Sequence, residues 1–213
     1  LVKYGFEKLG DPALPEHLGI FTIPFIVAKA FKINLIIWGE NPYFEYGGNK
    51  DYKKDFFSDK IDFDKTELTE KELIPYKFPT KPQEINSLYL GDYINWNAHQ
   101  HVEISKSLGF SCPVKPALGN YENYENLDTK YVNLHDYIKY LKFGYGRITD
   151  QLCIAIRQRR ISREEALKIA EQRDSELDLV YLDSFLKEFN YSKKEFTEIC
   201  NKFRMIESSV AQK

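Results

Sequence analysis

The sequence is poor in cysteine and in long apolar runs. Its 213 residues contain 3 cysteines, and their odd number and the lack of a Cys-x-x-Cys pair argue against a disulfide framework and a zinc ribbon. A reducing compartment is the default expectation. No apolar run approaches the roughly 20 residues that a membrane span needs, and no basic-then-apolar secretory leader is visible. We therefore expect a soluble, cytoplasmic protein with no membrane partner.

An excess of charge of either sign is also lacking. The chain has 30 lysines and arginines against 32 aspartates and glutamates, which gives a formal net charge of −2. This balance creates no global field that would favour nucleic acid or an anionic membrane. We therefore expect no nucleic-acid partner.

A chain of this length can bury a real core, either in one large domain or in a small domain with an appendage.

The stretch Leu35-Ile36-Ile37-Trp38 predicts a buried strand, because it is a short apolar run rich in β-branched residues that stops abruptly at a glycine. Residues 21–32 carry apolar side chains at helical spacing, so helix and strand follow one another in an α/β order. In open α/β sheets, ligands bind beyond the carboxyl ends of the strands. Glu40, Asn41 and Glu45 would lie there. A strand that ends in a solvated turn is the alternative.

A second apolar run repeats this design. Residues 87–93 predict a buried strand that stops at Gly91-Asp92. Two strands that each end in a glycine and a carboxylate are typical of adjacent parallel strands that line one crevice. Between them, residues 49–65 mix charges and aromatics without a period, which predicts an irregular insertion or a lid over the site.

The C-terminal part of the chain has a different hydrophobic pattern. After His135, helical periodicity dominates and predicts about five helices. We therefore divide the chain into an α/β part, residues 1–133, and a helical subdomain, residues 134–213. Residues 119–128 are acidic and aromatic, and their polarity predicts that they lie outside the core.

Basic side chains gather near the start of the helical part. Lys139 and Lys142 lie three residues apart and so share a helix face. The break from Gly144 to Gly146 would let the backbone approach a ligand and would point Arg147 out of the next helix. Convergent cations of this kind suit a polyphosphate or a sugar carboxylate. A basic helix end on the surface is the alternative.

The histidines do not predict a metal site. His99 and His101 are not at the i, i+4 spacing of a helical metal pair. Pro15 and Glu16 suit the first turn of a helix, and His17 lies near that start. It is either a structural histidine or one that holds a ligand.

Five segments run in a recognisable order across nearly the whole chain. They are His17-Leu18-Gly19-Ile20, Ile37-Trp38-Gly39-Glu40-Asn41-Pro42 with Glu45-Tyr46-Gly47-Gly48, Leu90-Gly91-Asp92-Tyr93-Ile94-Asn95-Trp96-Asn97, His135-Asp136-Tyr137 followed by Lys142-Phe143-Gly144-Tyr145-Gly146-Arg147-Ile148-Thr149-Asp150, and Ile161-Ser162-Arg163-Glu164-Glu165-Ala166. Together they resemble the signature of the N-acetyl sugar amidotransferases, relatives of the pseudaminic acid and lipopolysaccharide biosynthesis amidotransferases.

The resemblance implies a fold and a reaction. The fold is α/β, with a partial adenine-nucleotide alpha-hydrolase-like (Rossmann-like) parallel sheet of the PP-loop ATP pyrophosphatase type and a C-terminal helical subdomain. The reaction uses ATP and Mg²⁺ to convert a sugar N-acetyl group to an acetamidino group, with ammonia from a glutaminase subunit. The implied substrate is a nucleotide sugar or a sugar acid of surface-glycan biosynthesis, such as pseudaminic or legionaminic acid, for lipopolysaccharide or flagellin glycosylation.

The resemblance also implies site residues. Glu40, Lys142 and Arg147 are expected to be catalytic. The positions expected to bind substrate are His17, Asn41, Glu45, Asp92, Glu125, His135 and Asp150. We expect Glu40, Asp92 and Arg147 to meet at one pocket.

The sequence departs from the family in two features. The Ser-Gly-Gly-x-Asp-Ser phosphate loop and the cysteine-rich N-terminal module of the relatives are absent from it, and Gly47-Gly48 is no substitute for the loop. We therefore expect a missing N-terminal PP-loop region to complete the enzyme, and the chain alone to be inactive. Two alternatives stay open. One is a non-catalytic module that binds a nucleotide sugar or docks the glutaminase. The other is a PP-loop tRNA-modifying enzyme, which the neutral charge and the lack of cysteine metal ligands disfavour.

Overall fold

The computed structural model describes residues 1–46 and 61–204. Gly47-Gly48 and most of the predicted insertion or lid at residues 49–65 lie outside the described residues. The chain divides into two compact units, unit 1 with Leu1–Tyr4 and Leu14–Asn97, and unit 2 with Gly5–Ala13 and Ala98–Lys213. The domain boundary predicted between residues 133 and 134 stays a prediction.

Unit 1 combines helices with a small sheet. Its elements are α1 (Val2–Tyr4), α2 (Leu14–Ala30), β1 (Leu35–Trp38), α3 (Pro42–Tyr46), α4 (Glu70–Leu73) and β2 (Asn86–Tyr89). Short 3₁₀ turns occupy Phe63–Lys65, Ile74–Tyr76, Pro82–Glu84 and Leu90–Asp92. This mixture is consistent with the predicted α/β class, whereas the Rossmann-like detail stays a prediction.

Helix α2 confirms the predicted helix start. Pro15 and Glu16 stand in its first turn, where the missing proline N–H leaves no bond unmade and a carboxylate favours the helix dipole. The helix buries Leu14, Leu18, Thr22, Phe25 and Ala28, residues three or four apart that form one face. The buried Thr22 hydroxyl donates to the Leu18 carbonyl at 2.8 Å.

Strands β1 and β2 pair in parallel, in the register that places Leu35 opposite Asn86 and Trp38 opposite Tyr89. Trp38 packs against α2 and hydrogen-bonds to the neighbouring strand. Its ring centroid lies 5.7 Å from that of Phe21, and its indole N–H donates to the Ser87 hydroxyl at 2.6 Å. The predicted second strand is confirmed but shorter, because the chain turns into a 3₁₀ helix at Leu90–Asp92.

The prediction that β1 is a buried strand is wrong for one of its faces. Trp38 is 9% exposed, but Leu35 is 43% and Ile37 is 57% exposed. Side chains alternate along a strand, and α2 covers only the face that carries Trp38. Parallel sheets are normally covered on both faces. The described residues therefore leave one apolar face of this sheet open.

Unit 2 is helical. It contains a π-helix at Gly5–Leu9 and the helices α5 (Ala98–Ser107), α6 (Val132–Phe143), α7 (Arg147–Arg157), α8 (Arg163–Arg173), α9 (Leu179–Phe189) and α10 (Lys193–Lys202). The expected five helices after His135 correspond to α6 to α10. None of the helices in the described ranges is long and apolar enough to cross a membrane.

An aromatic cluster forms part of the core of unit 2. The rings of Phe6 and Phe185 are fully buried and meet edge to face with centroids 5.3 Å apart. Phe196 stacks on Phe6 at the same centroid distance, 5.3 Å. Such pairs add to the burial term of each ring. The π-helix is therefore held to α9 and α10 by its single phenylalanine.

Adjacent positions of β1 allow a matched stability test. We expect Trp38→Ala to lower the free energy of unfolding by about 3 to 5 kcal/mol, because it empties the packing between α2 and the sheet. Ile37→Ala, one residue away on the open face, should cost less than about 0.5 kcal/mol. Urea unfolding of the chain, followed by circular dichroism, measures both. Equal losses would show that the two faces are equally buried.

Candidate functional site

The carboxyl ends of β1 and β2 are joined by one backbone hydrogen bond and one side-chain hydrogen bond. The Gly91 N–H donates to the Glu40 carbonyl at 3.1 Å, and the Asn41 amide donates to the Gly91 carbonyl at 3.0 Å. A Cβ on Gly91 would lie 2.4 Å from the Cβ of Asn41, so only glycine allows this approach. The structure therefore brings Glu40 and Asn41 to the end of the second strand, beside Asp92. We call Glu40, Asn41 and Asp92 the strand-end cluster.

Asn41 of this cluster and Glu45, both predicted to bind substrate, already have structural partners. The Asn41 side-chain oxygen accepts from the Phe44 N–H at 3.1 Å, which caps the start of α3. The Glu45 carboxylate accepts from the Trp96 indole N–H at 2.6 Å. These contacts account for both side chains without a ligand. Their predicted roles in substrate binding stay predictions.

Glu40 differs from its neighbours. Its side chain is half-buried, and no hydrogen bond or ion pair to its carboxylate occurs within the described residues. Burial raises the pKa of this carboxyl above its ordinary value of 4.5, because removal from water disfavours the charged form. A carboxylate in this state is a better proton acceptor than an ordinary surface glutamate.

Unit 2 brings most of the other predicted residues together around α6 and α7. We call this group the α6–α7 cluster, and its members are Glu125, His135, Lys139, Lys142, Arg147 and Asp150. The Arg147 guanidinium contacts the Glu125 carboxylate at 2.8 Å. Lys139 forms an ion pair with Asp150. The cluster therefore contains two half-buried ion pairs rather than a bare patch of positive charge.

Lys142 forms a hydrogen bond to a backbone carbonyl, whereas Arg147 and Lys139 form ion pairs. Its ammonium donates to the Leu9 carbonyl, the end of the π-helix, at 2.5 Å, and no carboxylate pairs with it within the described ranges. Burial lowers the pKa of this amine, and the charge of Asp11 partly opposes that effect. Gly10, at φ +59°, makes room for the side chain, because a Cβ there would lie 2.8 Å from the Lys142 Cε.

His135 contacts the same N-terminal segment. Its Nδ1 lies 3.0 Å from an Asp11 carboxylate oxygen, and that oxygen also accepts from the Ala13 N–H at 2.9 Å. The N-terminal segment of unit 2 is therefore tied to α6 by both His135 and Lys142.

A buried network of amides was not foreseen. Asn120 is 1% exposed, so the prediction that residues 119–128 lie outside the core is wrong for it. Its side-chain oxygen accepts from Asn126 at 2.9 Å and from Gln151 at 3.2 Å. Gln151 also donates to the Glu125 carboxylate at 2.9 Å. The repeated asparagines of this segment were the available signal, because amides can satisfy one another when buried.

The glycine break before α7 approaches a carboxylate of the chain itself. The Gly146 N–H donates to the buried Asp174 at 2.7 Å, and the Thr149 N–H donates to the same side chain at 3.0 Å. A Cβ on Gly146 would lie 2.5 Å from the Asp174 carbonyl oxygen. The expected close approach of a ligand at this glycine is therefore corrected, since Asp174 already takes that place.

The predicted residues divide between the two units. Glu40, Asp92 and His17, which lies inside α2, belong to unit 1, and Arg147 belongs to unit 2. The expected meeting of Glu40, Asp92 and Arg147 at one pocket stays a prediction.

One comparison finds a similarity in the C-terminal part of the chain. Residues 119–209 match the family model described as "LPS biosynthesis protein WbpG-like, C-terminal domain". The match contains helices α6 to α10 and the whole α6–α7 cluster. It supports the resemblance to the lipopolysaccharide biosynthesis amidotransferases. No curated protein matches the chain.

The close approach of Gly146 to Asp174 predicts that a larger side chain at Gly146 destabilises the protein. We expect Gly146→Ala to lower the free energy of unfolding by about 1 to 3 kcal/mol, because the new methyl group collides with the backbone of Asp174. Gly39→Ala is the matched control, since a Cβ there meets nothing within 4 Å, and should be near neutral. Thermal unfolding by calorimetry compares them. An unchanged melting temperature for Gly146→Ala would contradict the close approach.

Replacement of the buried Asp136 by a neutral side chain is expected to stabilise the protein in a pH-dependent way. Burial raises its pKa above the ordinary value of 3.8, although the charges of His135, Arg147 and Lys139 oppose this shift. The folded protein therefore favours the neutral acid, and the stability due to the group is lost as pH rises through its folded pKa.

Asp136→Asn should keep a neutral side chain at every pH. We expect its melting temperature to rise relative to the natural chain between pH 4 and pH 8. At pH values below 3.8, the ordinary pKa of the Asp136 carboxyl, the melting temperatures of the two proteins should change with pH in nearly the same way. A difference in melting temperature that is flat over this range would contradict the raised pKa.

Proposed function

We propose, from the match of residues 119–209 to the WbpG-like C-terminal domain, that the chain belongs to an ATP-dependent amidotransferase of lipopolysaccharide or related surface-glycan biosynthesis. In the net reaction a sugar N-acetyl group, ammonia and ATP give an acetamidino group, AMP and pyrophosphate. The acetyl oxygen leaves in AMP, and a nitrogen from ammonia replaces it on the same carbon. A cytoplasmic location is part of the proposal.

The strand-end cluster is the observation that carries this proposal. Parallel strands β1 and β2 lie side by side, and both deliver polar residues beyond their carboxyl ends. This is the position where open α/β sheets bind ligands. Glu40 would accept a proton from the attacking ammonia, because its carboxylate is half-buried, has a raised pKa and makes no hydrogen bond among the described residues.

The strand-end cluster also has suitable donors for Mg²⁺. Carboxylate oxygens are the ligands that this hard cation prefers, and Glu40 and Asp92 supply two of them. Asn41 is a weaker candidate, because its amide already bonds Gly91 and Phe44. Because Glu40 is assigned to proton transfer, Asp92 is the residue that would hold the ion, which would neutralise phosphate charge when bound.

ATP needs groups that this sequence does not supply. The Ser-Gly-Gly-x-Asp-Ser loop is absent from the sequence, so we assign the phosphates of ATP to a separate PP-loop region. The open face of the sheet supports this partner. Leu35 and Ile37 expose apolar side chains there, and a two-stranded parallel sheet gains stability when further strands and helices cover it.

The α6–α7 cluster would recognise the acidic part of the sugar substrate. Among the described residues, the Lys142 ammonium bonds the neutral Leu9 carbonyl and lies 5.3 Å from the centroid of the Phe203 ring. It pairs with no described carboxylate, so an anion can add a charge-assisted bond to it. Arg147 would contribute through its ion pair with Glu125. A glutaminase subunit is the proposed source of ammonia.

A non-catalytic role is the second candidate. Arg147 and Lys139 both form ion pairs with carboxylates of the chain, which reduces what they can offer to a transferred phosphate. A module that binds a nucleotide sugar or docks the glutaminase would need no such group. Measurement of the reaction distinguishes these two roles.

The test measures pyrophosphate release by the holoenzyme, the chain assembled with its PP-loop region. The reaction contains ATP and a nucleotide-linked N-acetyl sugar, with and without ammonium. We expect Glu40→Gln to lower kcat by at least about 10²-fold, because a positioned general base contributes that much. Glu84→Gln is the control, since Glu84 forms an exposed ion pair with Lys81 in the same unit and should retain full activity.

Two results would reject the assignment. Sugar binding without any ammonia-dependent pyrophosphate release would favour the non-catalytic module. Normal turnover by Glu40→Gln would remove Glu40 from the chemistry.

Lys142→Met should raise the KM for an acidic sugar by about 10-fold, the loss expected for one charge-assisted hydrogen bond, and an unchanged KM would remove Lys142 from the site.

A further inference from the structure

The segment that carries Glu40 has little support where it leaves β1. A Cβ on Gly39 would meet no atom within 4 Å in the described part of the chain, so nothing packs beside this link. Helix α3, which follows, has 5 residues, and an isolated helix of that length is not stable in water. The position of Glu40 therefore depends on contacts that α3 makes elsewhere. We call residues 39–46 the α3 segment.

Hydrogen bonds hold the α3 segment at both ends of its helix. At the start of α3, the Asn41 amide donates to the Gly91 carbonyl at 3.0 Å. About one helical turn later, the Glu45 carboxylate accepts from the Trp96 indole N–H at 2.6 Å. Gly91 and Trp96 both lie in the stretch that follows β2. The α3 segment is therefore fixed against that stretch at two separate points.

The bond from Trp96 is the stronger kind of contact. Its acceptor is a carboxylate, and a hydrogen bond to a charged group is worth more than one between neutral groups such as Asn41 and Gly91. Both Trp96 and Glu45 are half-buried, so the surroundings screen the bond less than bulk water would. Loss of the indole N–H would therefore loosen the far end of α3.

We propose that Trp96 is a positioning residue, which holds the α3 segment through Glu45 and so keeps the Glu40 carboxylate beside Asp92. This inference rests on the proposed function, because it requires Glu40 to act at the strand-end cluster. Glu45 then serves as the acceptor that fixes α3, and its charge makes no contact with the substrate. The sequence had predicted a substrate-binding role for it.

The titration of Glu40 reports whether the α3 segment is in place. The pKa of its carboxyl is raised because burial removes it from water. If α3 is released, water reaches the carboxylate and stabilises its charged form. The pKa of Glu40 should then fall toward its ordinary value of 4.5.

The first experiment measures that pKa by NMR in the chain labelled with ¹³C at the glutamate carboxyls, with Glu40→Gln to assign the resonance. We expect Trp96→Phe, which keeps a ring but lacks the N–H, to lower the pKa of Glu40. Trp38→Phe is the matched control, because Trp38 also donates its indole N–H, to the Ser87 hydroxyl at 2.6 Å. It should lower the melting temperature and leave the pKa of Glu40 unchanged.

The second experiment measures turnover by the holoenzyme. Trp96→Phe should lower kcat by about 10- to 100-fold, because a misplacement of about 1 Å can cost that much, and should leave the KM for the sugar unchanged. Glu45→Leu should behave in the same way. Glu45→Gln keeps an acceptor oxygen for the indole and should lose much less turnover. The double variant of Trp96→Phe and Glu45→Leu should be no slower than the slower single variant, since both changes remove one bond.

Several results would overturn the role of Trp96. They are an unchanged pKa of Glu40 in Trp96→Phe, an equal fall of that pKa in Trp38→Phe, and additive losses of kcat in the double variant. A raised KM, or equal losses by Glu45→Gln and Glu45→Leu, would instead assign the charge of Glu45 to the substrate. Failure of the proposed function is distinguishable, because the titration needs no reaction. The expected titration in a holoenzyme that releases no pyrophosphate would reject the proposed function alone.

Discussion

The buried carboxylate of Asp174 is the contact on which the α6–α7 turn depends. The first N–H groups of a helix have no partner within the helix, and α7 has no capping side chain at Gly146. Asp174 supplies the missing acceptor from the end of α8, through the N–H groups of Gly146 and Thr149. Its own burial requires these donors, because an unpaired buried charge is costly. The position of Arg147 is therefore set by α8 as much as by α6.

Gln151 extends the same principle to the segment before α6. Its side-chain oxygen accepts from the N–H groups of Tyr121 and Glu122, and its amide donates to Asn120 and Glu125. A residue that is 2% exposed thus has every polar group satisfied, as buried amides require. The Glu125 carboxylate oxygen that accepts from Gln151 is the one that contacts Arg147. The ion pair is therefore connected to the buried amide network.

Sequence reasoning succeeded where the signal was local. The helix start at Pro15 and the strand end at Glu40 depend on a few adjacent residues, and both are present in the structure. It failed where the partner is distant in the chain. Asp174 and Gly146 are far apart, so the glycine was explained by a ligand. Asn120 is polar, but its burial depends on Gln151. The open face of β1 shows the same limit, because alternation predicts two faces but not what covers each one.

Charge pairing decides which cation of the α6–α7 cluster can gain from a ligand. Arg147 already contacts Glu125, so an anion that approaches it must share the guanidinium with a carboxylate held by Gln151. Lys142 bonds a neutral carbonyl, and burial lowers its pKa. A bound anion would restore the favourable environment of its charged form, because a nearby opposite charge raises the pKa of an amine. Arg147 therefore has less to gain from an added anion than Lys142 has.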